Sequence, residues 1–239
     1  MKKALVLIAL ALALPCSAAA PARDTGFLDK TIDHEGSAIK YVVFVPKQYN
    51  PEKPHPTILF LHGSGEQGDD GQNQVKVGLG AAIKKAEEKW NYIVIFPQKP
   101  KGRGGFMEHE KLILDMIDKT KKEYKVDEKR LYITGLSMGG MGTWSLICKY
   151  PDMFAAAAPV CGRGNPADAA KIKDLPIWNF HGDKDNAVNI KGSQDMIDAI
   201  KAAGGNPKFT IYPGVGHNSW DKAYNEEKLE EWFIQHAKK

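Results

Sequence analysis

The stretch from Tyr132 to Met141 constrains the fold of this chain more than any other. A short apolar, β-branched run from Leu131 to Thr134 is typical of a buried strand, and the pattern Gly-x-Ser-x-Gly follows it, with Ser137 at the centre. The apolar residues beyond the pattern recur at helical spacing: Met141, Trp144, Ile147 and Cys148. The sequence therefore predicts a strand, a sharp turn and a helix, with a serine at the apex of the turn.

This turn geometry is what a nucleophilic serine needs. It projects the hydroxyl of Ser137 clear of the backbone and places a backbone N–H and the positive end of the helix dipole beside it. Gly135 and Gly139 fit because a Cβ atom at either position would crowd the turn. An ordinary glycine-rich β–α turn also matches the five-residue pattern, so the interpretation depends on an acid and a histidine following later in the chain, in that order.

The composition is that of one globular domain. A length of 239 residues suits a single domain, and a hydrophobic content of 43% suffices for a sizeable core. The net charge of +4 is mild and does not argue for nucleic-acid binding. We see no internal repeat and no second domain in the sequence.

The first residues of the chain are typical of a targeting segment. Lys2 and Lys3 precede an apolar run from Ala4 to Leu14, and small residues of the form Ala-x-Ala follow. We predict a secretory signal peptide over residues 1–22, because the apolar run is too short to cross a bilayer. The expectation is an exported protein, periplasmic or extracellular, with its catalytic domain at 23–239 and no membrane span.

Three cysteines bear on export. Cys16 leaves lipid attachment open as an alternative to simple cleavage, although Pro15 directly before it fits that poorly. Export would permit a disulfide between Cys148 and Cys161. However, Cys148 lies about 16 Å down the predicted helix from Ser137, whereas Cys161 follows a strand that ends at the serine's edge of the sheet. We therefore expect two buried free thiols.

The rest of the chain alternates between predicted strands and helices. The strands are Ile39–Val45, Thr57–Leu61, Tyr92–Phe96, Leu131–Thr134, Phe154–Val160, Ile177–Phe180 and Lys208–Tyr212. Besides the helix after Ser137, the helices are Gly80–Trp90, Glu110–Tyr124, Gln194–Ala203 and Glu226–Ala237. This alternation predicts an α/β fold with a doubly wound, mainly parallel sheet.

Polar, glycine-rich residues follow four of the buried strands. They are His62-Gly63-Ser64-Gly65-Glu66, Ser137, His181-Gly182-Asp183-Lys184-Asp185-Asn186 and Gly214-Val215-Gly216-His217. The carboxyl ends of parallel strands meet at one edge of the sheet, where ligands bind in such folds. We therefore expect these side chains to converge on one site.

His217 is the candidate general base and Asp185 the candidate acid. An imidazole with a pKa near neutrality can accept the serine proton, and a carboxylate on its other nitrogen fixes the tautomer and stabilises the imidazolium. Asp183 competes with Asp185 for this role. We prefer Asp185 because it lies deeper in the loop and because Val188 follows it as an apolar anchor.

Attack by the serine creates an oxyanion that needs hydrogen-bond donors. In a strand–serine–helix arrangement of this kind the donors come from the residue after the nucleophile and from the loop after a neighbouring strand, here Thr57–Leu61. The backbone N–H groups of Met138 and Ser64 are therefore predicted, with Gly63 as the second choice for the latter.

Two histidines at strand ends, His62 and His181, could be interpreted as metal ligands together with Asp183 and Asp185. We favour the interpretation that both support the backbone of their loops, because no His-x-x-x-His or Cys/His spacing accompanies them. No metal is predicted.

Two groups of charged loop residues also have structural explanations. The acidic group, Glu66, Asp69 and Asp70, is expected to face solvent or to support the oxyanion loop rather than to bind Ca²⁺. The basic group, Lys99, Lys101 and Arg103, is expected to be a solvated loop, with contact to an anionic substrate as the alternative.

Taken together, the four strand-end motifs resemble those of the α/β-hydrolase superfamily. More narrowly, the chain is similar to secreted carboxylesterases related to dienelactone hydrolase, phospholipase/carboxylesterase and polyhydroxybutyrate-depolymerase-like or feruloyl-esterase-like enzymes, over about residues 27 to 238. The resemblance implies a triad of Ser137, Asp185 and His217, matching the residues reached above, and no cofactor. It also implies that Trp220 packs near the base.

One departure from the superfamily concerns the cap. Many members insert a cap domain between the strands that here end near Val160 and begin near Ile177, but only Cys161 to Pro176 lie between them. We therefore expect an open site without a lid, suited to an ester with a bulky, branched or polymeric part.

The function expected from the sequence is an exported serine carboxylic-ester hydrolase acting on a small-molecule or polysaccharide-linked ester, for example a feruloyl or acetyl ester. A serine peptidase of the prolyl-oligopeptidase type and a non-catalytic carbohydrate-binding module with a vestigial site are the alternatives. The sequence leaves open the acyl and alcohol specificity and the oligomeric state.

Overall fold

The computed structural model describes residues 24–239, which form one eight-stranded sheet with helices on both faces. The predicted signal peptide, 1–22, lies outside these residues. The strands are β1 (Gly26–His34), β2 (Ser37–Val45), β3 (His55–Leu61), β4 (Ile93–Pro97), β5 (Val126–Leu136), β6 (Ala156–Val160), β7 (Trp178–Gly182) and β8 (Lys208–Tyr212). The helices are α1 (Leu79–Lys85), α2 (Glu110–Glu123), α3 (Met138–Lys149), α4 (Lys191–Ala202), α5 (Trp220–Asn225) and α6 (Leu229–Phe233).

The strand order is β1-β2-β4-β3-β5-β6-β7-β8. Strand β2 pairs antiparallel with both β1 and β4. The other six strands, in the spatial order β4-β3-β5-β6-β7-β8, pair in parallel. The predicted α/β fold with a mainly parallel sheet is therefore confirmed. Parallel pairing brings the carboxyl ends of β3, β5, β7 and β8 to one edge.

The core has two layers because the sheet is covered on both sides. In β3, Leu59 and Leu61 face the layer under α2, α3 and α4, whereas Ile58 and Phe60 face the layer under α1, α5 and α6. Successive side chains of a strand point to opposite faces, so a strand covered on both sides is continuously apolar. This explains why β3 and β4 have no polar/apolar alternation in the sequence.

Parts of the observed secondary structure differ from the prediction. Strand β1 was not predicted, because it is an edge strand with a half-exposed pattern. Helix α1 ends at Lys85 and a 3₁₀ turn, Glu87–Lys89, takes the place of its second half.

The predicted helix Glu226–Ala237 is much shorter in the structure, where only Leu229–Phe233 is helical. Helix α5 ends at Asn225, and Lys228 has a left-handed backbone with φ 51° before α6 begins. The break lets Phe233 stack on Tyr132, with ring centroids 5.0 Å apart. Tertiary packing thus overrides the local helical pattern.

Within the described residues, no cap domain is inserted between β6 and β7. The stretch between β6 and β7 contains the 3₁₀ turn Pro166–Ile172 and no multi-helix insertion. Among the described residues, no helix is both long and apolar enough to cross a bilayer.

Candidate active site

Ser137 stands at the apex of the β5–α3 turn with a positive φ of 54° and a ψ of −115°. Such a backbone is rare for a residue with a side chain and persists only where its surroundings enforce it. A Cβ at Gly135 would lie 2.5 Å from the carbonyl oxygen of Gly139, and one at Gly139 would lie 1.9 Å from that of Leu61. The glycines therefore allow β3, β5 and α3 to meet closely enough to hold the serine in this geometry.

His217 lies in the loop after β8, between Ser137 and Asp185. Its Nε2 is 2.9 Å from Oγ of Ser137, and its Nδ1 is 2.7 Å from Oδ2 of Asp185. The ring of Trp220 meets the imidazole edge-on, at a centroid distance of 5.3 Å and an interplanar angle of 86°. This confirms that Trp220 packs against His217.

Asp185 is anchored by the backbone of its own loop. Its Oδ1 accepts hydrogen bonds from the N–H groups of Ala187 and Val188, each 2.9 Å long. Burial alone would raise the pKa of this carboxyl, but the hydrogen bonds from His217, Val188 and Ala187 outweigh it and lower the pKa below its usual value. Asp185 is therefore ionised at neutral pH although its side chain has no solvent exposure.

Asp183 is directed elsewhere. Its Oδ1 accepts a 2.7 Å hydrogen bond from the backbone N–H of Gly214 and joins the loops after β7 and β8. Of the two candidate acids, Asp185 is the one in contact with His217.

The ionised Asp185 determines how the imidazole of His217 is used. A carboxylate only accepts hydrogen bonds, so Nδ1 of His217 carries the proton and Nε2 presents its lone pair to the hydroxyl of Ser137. This arrangement can take a proton from a serine hydroxyl and return it to a leaving group.

The two segments that carry the predicted oxyanion donors both adjoin Ser137. Met138 is the first residue of α3, so its N–H has no carbonyl partner within the helix. A Cβ on Gly63 would lie 3.7 Å from Cβ of Ser137, so the loop after β3 passes directly beside the serine. Both Ser64 and Gly63 belong to this loop.

His62 is fully buried and joins two loops. Its Nε2 accepts a 2.9 Å hydrogen bond from the backbone N–H of Lys99, so Nδ1 carries the proton and donates to the carbonyl oxygen of Gly63 at 2.6 Å. Burial lowers the pKa of His62 to about 4, and the charge of Lys99 adds to this effect. The neutral ring thus supports the backbone of the loop after β3, as expected from the sequence.

His181 supports the acid loop in a similar way. Its Nε2 lies 2.9 Å from the carbonyl oxygen of Val188 and 3.1 Å from Oδ2 of Asp185, and its Nδ1 lies 2.8 Å from Oγ of Ser193. Burial lowers the pKa of His181, so the ring is neutral at pH 7. A carbonyl oxygen only accepts, so Nε2 carries the proton and gives Asp185 an additional donor.

The charged loops differ in part from expectation. Lys99 was expected to be solvated, which is wrong: the residue is 2% exposed, and its ammonium donates to Oε1 of Gln67 and the carbonyls of Pro100 and Gly102 at 3.2–3.5 Å. The aliphatic stem of Lys99 is buried against the loop. Its ammonium group forms hydrogen bonds with neutral oxygen atoms of the same region.

The acidic group supports its own loop. Asp70 accepts hydrogen bonds from the backbone of Gln72 and Asn73 and from the side chain of Gln98. Glu66 is half-buried, and burial raises the pKa of its carboxyl against the effect of hydrogen bonds from the backbone of Gly63 and of Glu66 itself.

Cys161 is the residue near the site to which sequence reasoning gave no functional role. Both described cysteines are free and buried, as predicted. A sulfur, an oxygen and a nitrogen atom of Cys161, Asp185 and His217 lie within 4.8 Å of one another, and these residues could together hold a metal ion. Its position directly after β6, at the carboxyl edge of the sheet, could have indicated from the sequence that Cys161 lies near the site.

Two curated proteins that are similar to this chain are acetylxylan esterases by name. A bifunctional acetylxylan esterase/xylanase of Neocallimastix patriciarum is 28% identical over 68% of this chain and 24% of its own length. A probable acetylxylan esterase A of Aspergillus clavatus is 27% identical over 64% of the chain and 54% of its own length. The chain thus spans between about a quarter and about half of these curated relatives.

Solved structures share the fold. A thermostable esterase superposes with a TM-score of 0.79 at 34% identity, covering 88% of this chain and 63% of that one. The feruloyl esterase module from Clostridium thermocellum complexed with sinapinate superposes with a TM-score of 0.68 at 20% identity, covering 87% of each chain. These likenesses agree with the α/β-hydrolase fold. The dienelactone hydrolase family model matches residues 38–233, and the chain therefore belongs to the dienelactone hydrolase family.

Proposed function

We propose that this protein is a serine carboxylic-ester hydrolase in which Ser137 is the nucleophile, His217 the general base and Asp185 the orienting acid. The observation that carries the proposal is the continuous hydrogen-bonded series of serine Oγ, imidazole and carboxylate, with distances of 2.9 and 2.7 Å, in which the serine has a positive φ at the apex of its turn. Family membership and the esterase relatives support the same reaction class.

The reaction follows from the geometry. As Oγ of Ser137 attacks the ester carbonyl carbon, Nε2 of His217 takes the hydroxyl proton, and Asp185 stabilises the resulting imidazolium. The backbone N–H groups of Met138 and Ser64 would bind the oxyanion. His217 then protonates the leaving alcohol, and a water molecule that it deprotonates releases the acid.

The substrate class proposed is an ester whose acyl or alcohol part extends beyond the site, such as an acetyl or feruloyl ester of a plant polysaccharide. The imidazole of His217 is 27% exposed, and no cap lies between β6 and β7. An open site of this kind admits a polymer. The similarity to acetylxylan esterases also supports this substrate class.

Export is part of the proposal. It rests on the basic start and the short apolar run of residues 1–22. Fractionation of cells that express the full chain, followed by mass spectrometry of the mature N-terminus, tests it. Retention of an uncleaved chain in the cytosol would contradict it.

Hydrolysis of a substrate panel tests the activity. The panel contains p-nitrophenyl acetate, butyrate and octanoate, methyl ferulate, acetylated xylan and a chromogenic dipeptide amide. We expect turnover of at least one ester, and the preferred acyl group identifies the subtype. Cleavage of the amide alone would favour the peptidase, and no turnover together with no labelling of Ser137 by a fluorophosphonate would favour a vestigial site.

A further inference from the structure

A buried thiol lies directly beside the His217–Asp185 pair. Cys161 has no solvent exposure and a left-handed backbone, with φ 39°. Its N–H donates to the carbonyl oxygen of Phe180 at 2.8 Å, which fixes the position of the residue between β6 and β7. The mechanism proposed above assigns no role to this sulfur.

A second observation at the same place is an orphaned hydroxyl. Ser219 is fully buried, and its Oγ has no hydrogen-bond partner within the described structure. Burial raises the pKa of the Cys161 thiol to about 12, and the nearby hydroxyl of Ser219 acts against this rise. Buried polar groups without partners are few in native proteins, and one of their causes is an ion that is not present.

We propose that Cys161, Asp185 and His217 form an inhibitory binding site for a borderline-soft divalent cation of the Zn²⁺ and Cd²⁺ class, with Ser219 at its margin. Thiolate, imidazole and carboxylate are the ligands that such cations prefer, whereas Mg²⁺ and Ca²⁺ prefer oxygen. Binding itself is independent of the esterase proposal, but the inhibition that follows from it rests on that proposal.

The spacing of the three donors is close to what a metal requires. Ligand distances of about 2.0–2.3 Å in a tetrahedral site put neighbouring ligand atoms about 3.3–3.8 Å apart. The donor atoms here lie within 4.8 Å of one another, so a contraction of about 1 Å, by small side-chain rotations, forms the site. The partly exposed ring of His217 gives the side from which the cation enters.

The chemistry of binding explains why it inhibits. The S–H bond of Cys161 breaks, a metal–sulfur bond forms, and the proton leaves to solvent. If the metal takes Nε2 of His217, it occupies the lone pair that accepts the proton of Ser137. If it takes Nδ1, the neutral ring carries its proton on Nε2 and can no longer accept one. In both cases His217 can no longer accept the proton of Ser137.

The test uses the two buried thiols as a matched pair. Cys161→Ser removes the soft ligand with little change in volume, and Cys148→Ser is the control because that thiol lies at the far end of α3. We expect Zn²⁺ to inhibit ester hydrolysis by the wild type and by Cys148→Ser at the same concentration. Inhibition of Cys161→Ser should need at least about tenfold more, since even ligand-supporting residues contribute 10–100-fold to metal affinity.

A binding measurement without turnover separates this inference from the esterase proposal. Cd²⁺ is titrated into Ser137→Ala, and the ultraviolet thiolate-to-metal absorption is recorded against Ser137→Ala/Cys161→Ser. We expect the band in the first protein and not in the second. Equal Zn²⁺ sensitivity of the two single-thiol variants, or no difference in the Cd²⁺ spectra, would overturn the site whatever the enzyme hydrolyses.

Discussion

Nδ1 of His62 lies 2.6 Å from the carbonyl oxygen of Gly63, and this contact orients the peptide group that joins Gly63 to Ser64. In a planar trans peptide the carbonyl and the following N–H point in opposite directions. Because His62 holds the Gly63 carbonyl on its own side of the loop, the N–H of Ser64 is directed away from it. We infer that a buried, neutral histidine positions the predicted oxyanion donor.

Filling the space beside Gly63 should impair catalysis. A Cβ there would lie 2.7 Å from Cδ1 of Leu136 and 3.0 Å from Oε2 of Glu66, so Gly63→Ala must shift the loop that carries Ser64. We expect kcat to fall about 10²–10³-fold, the usual cost of an oxyanion donor. The control is Gly65→Ala, because a Cβ at Gly65 meets nothing within 4 Å. Equal rates for the two variants would contradict this geometry.

The low pKa of His62 predicts a pH dependence of stability. The folded-state pKa is about 4 and the unfolded value about 6.5, so between these limits only the unfolded chain binds the proton. The contribution of the neutral ring is therefore complete above about pH 6.5 and is lost as the pH falls towards 4, by at most about 3 kcal/mol.

His62→Gln should remove this part of the pH dependence. Urea unfolding of both proteins at several pH values between 4 and 7 measures it, since the other titrating groups are common to the two. We expect the wild-type stability to decline more steeply with falling pH than that of the variant. Parallel curves would mean that His62 does not titrate between the two states as proposed.

Removal of the serine hydroxyl tests the nucleophile. Ser137→Ala should lower kcat on p-nitrophenyl acetate by about 10⁴-fold or more, because no other group at the turn can form the acyl-enzyme. Ser145→Ala is the matched control, because this serine is exposed on the same helix and its hydroxyl donates to the carbonyl of Met141. A similar rate for Ser137→Ala and the control would refute the assignment.

The two aspartates after β7 give a paired test of the acid. Asp185→Asn should reduce kcat about 10⁴-fold, because an amide in this position favours the wrong tautomer of His217. Asp183→Asn changes a carboxylate that binds the N–H of Gly214, and we expect less than about a tenfold effect from this more distant change. If Asp183→Asn were the slower enzyme, the roles of the two residues would have to be exchanged.

Much of the architecture could be predicted because its signals are local. Continuous apolar runs predicted β3 and β4, since strands covered on both faces need no polar residues. The exposed edge strand β1 and the broken C-terminal helix were missed. Strand β1 is half-exposed and lacks the continuous apolar run of the central strands, so its pairing with β2 was not recognised. The position of the C-terminal helix depends on packing against Tyr132, which is distant in the sequence.

The sequence by itself determined the serine-centred turn and the order in which the other polar motifs follow their strands, because glycine spacing and apolar periodicity act within a few residues. Only the tertiary structure decided that Asp185 contacts His217, that Lys99 is buried and that Cys161 lies beside the pair. These relationships join loops from different strands, and their distances depend on how the sheet twists and how α3 and the loops pack on it. Such distances are set by the whole fold rather than by neighbouring residues.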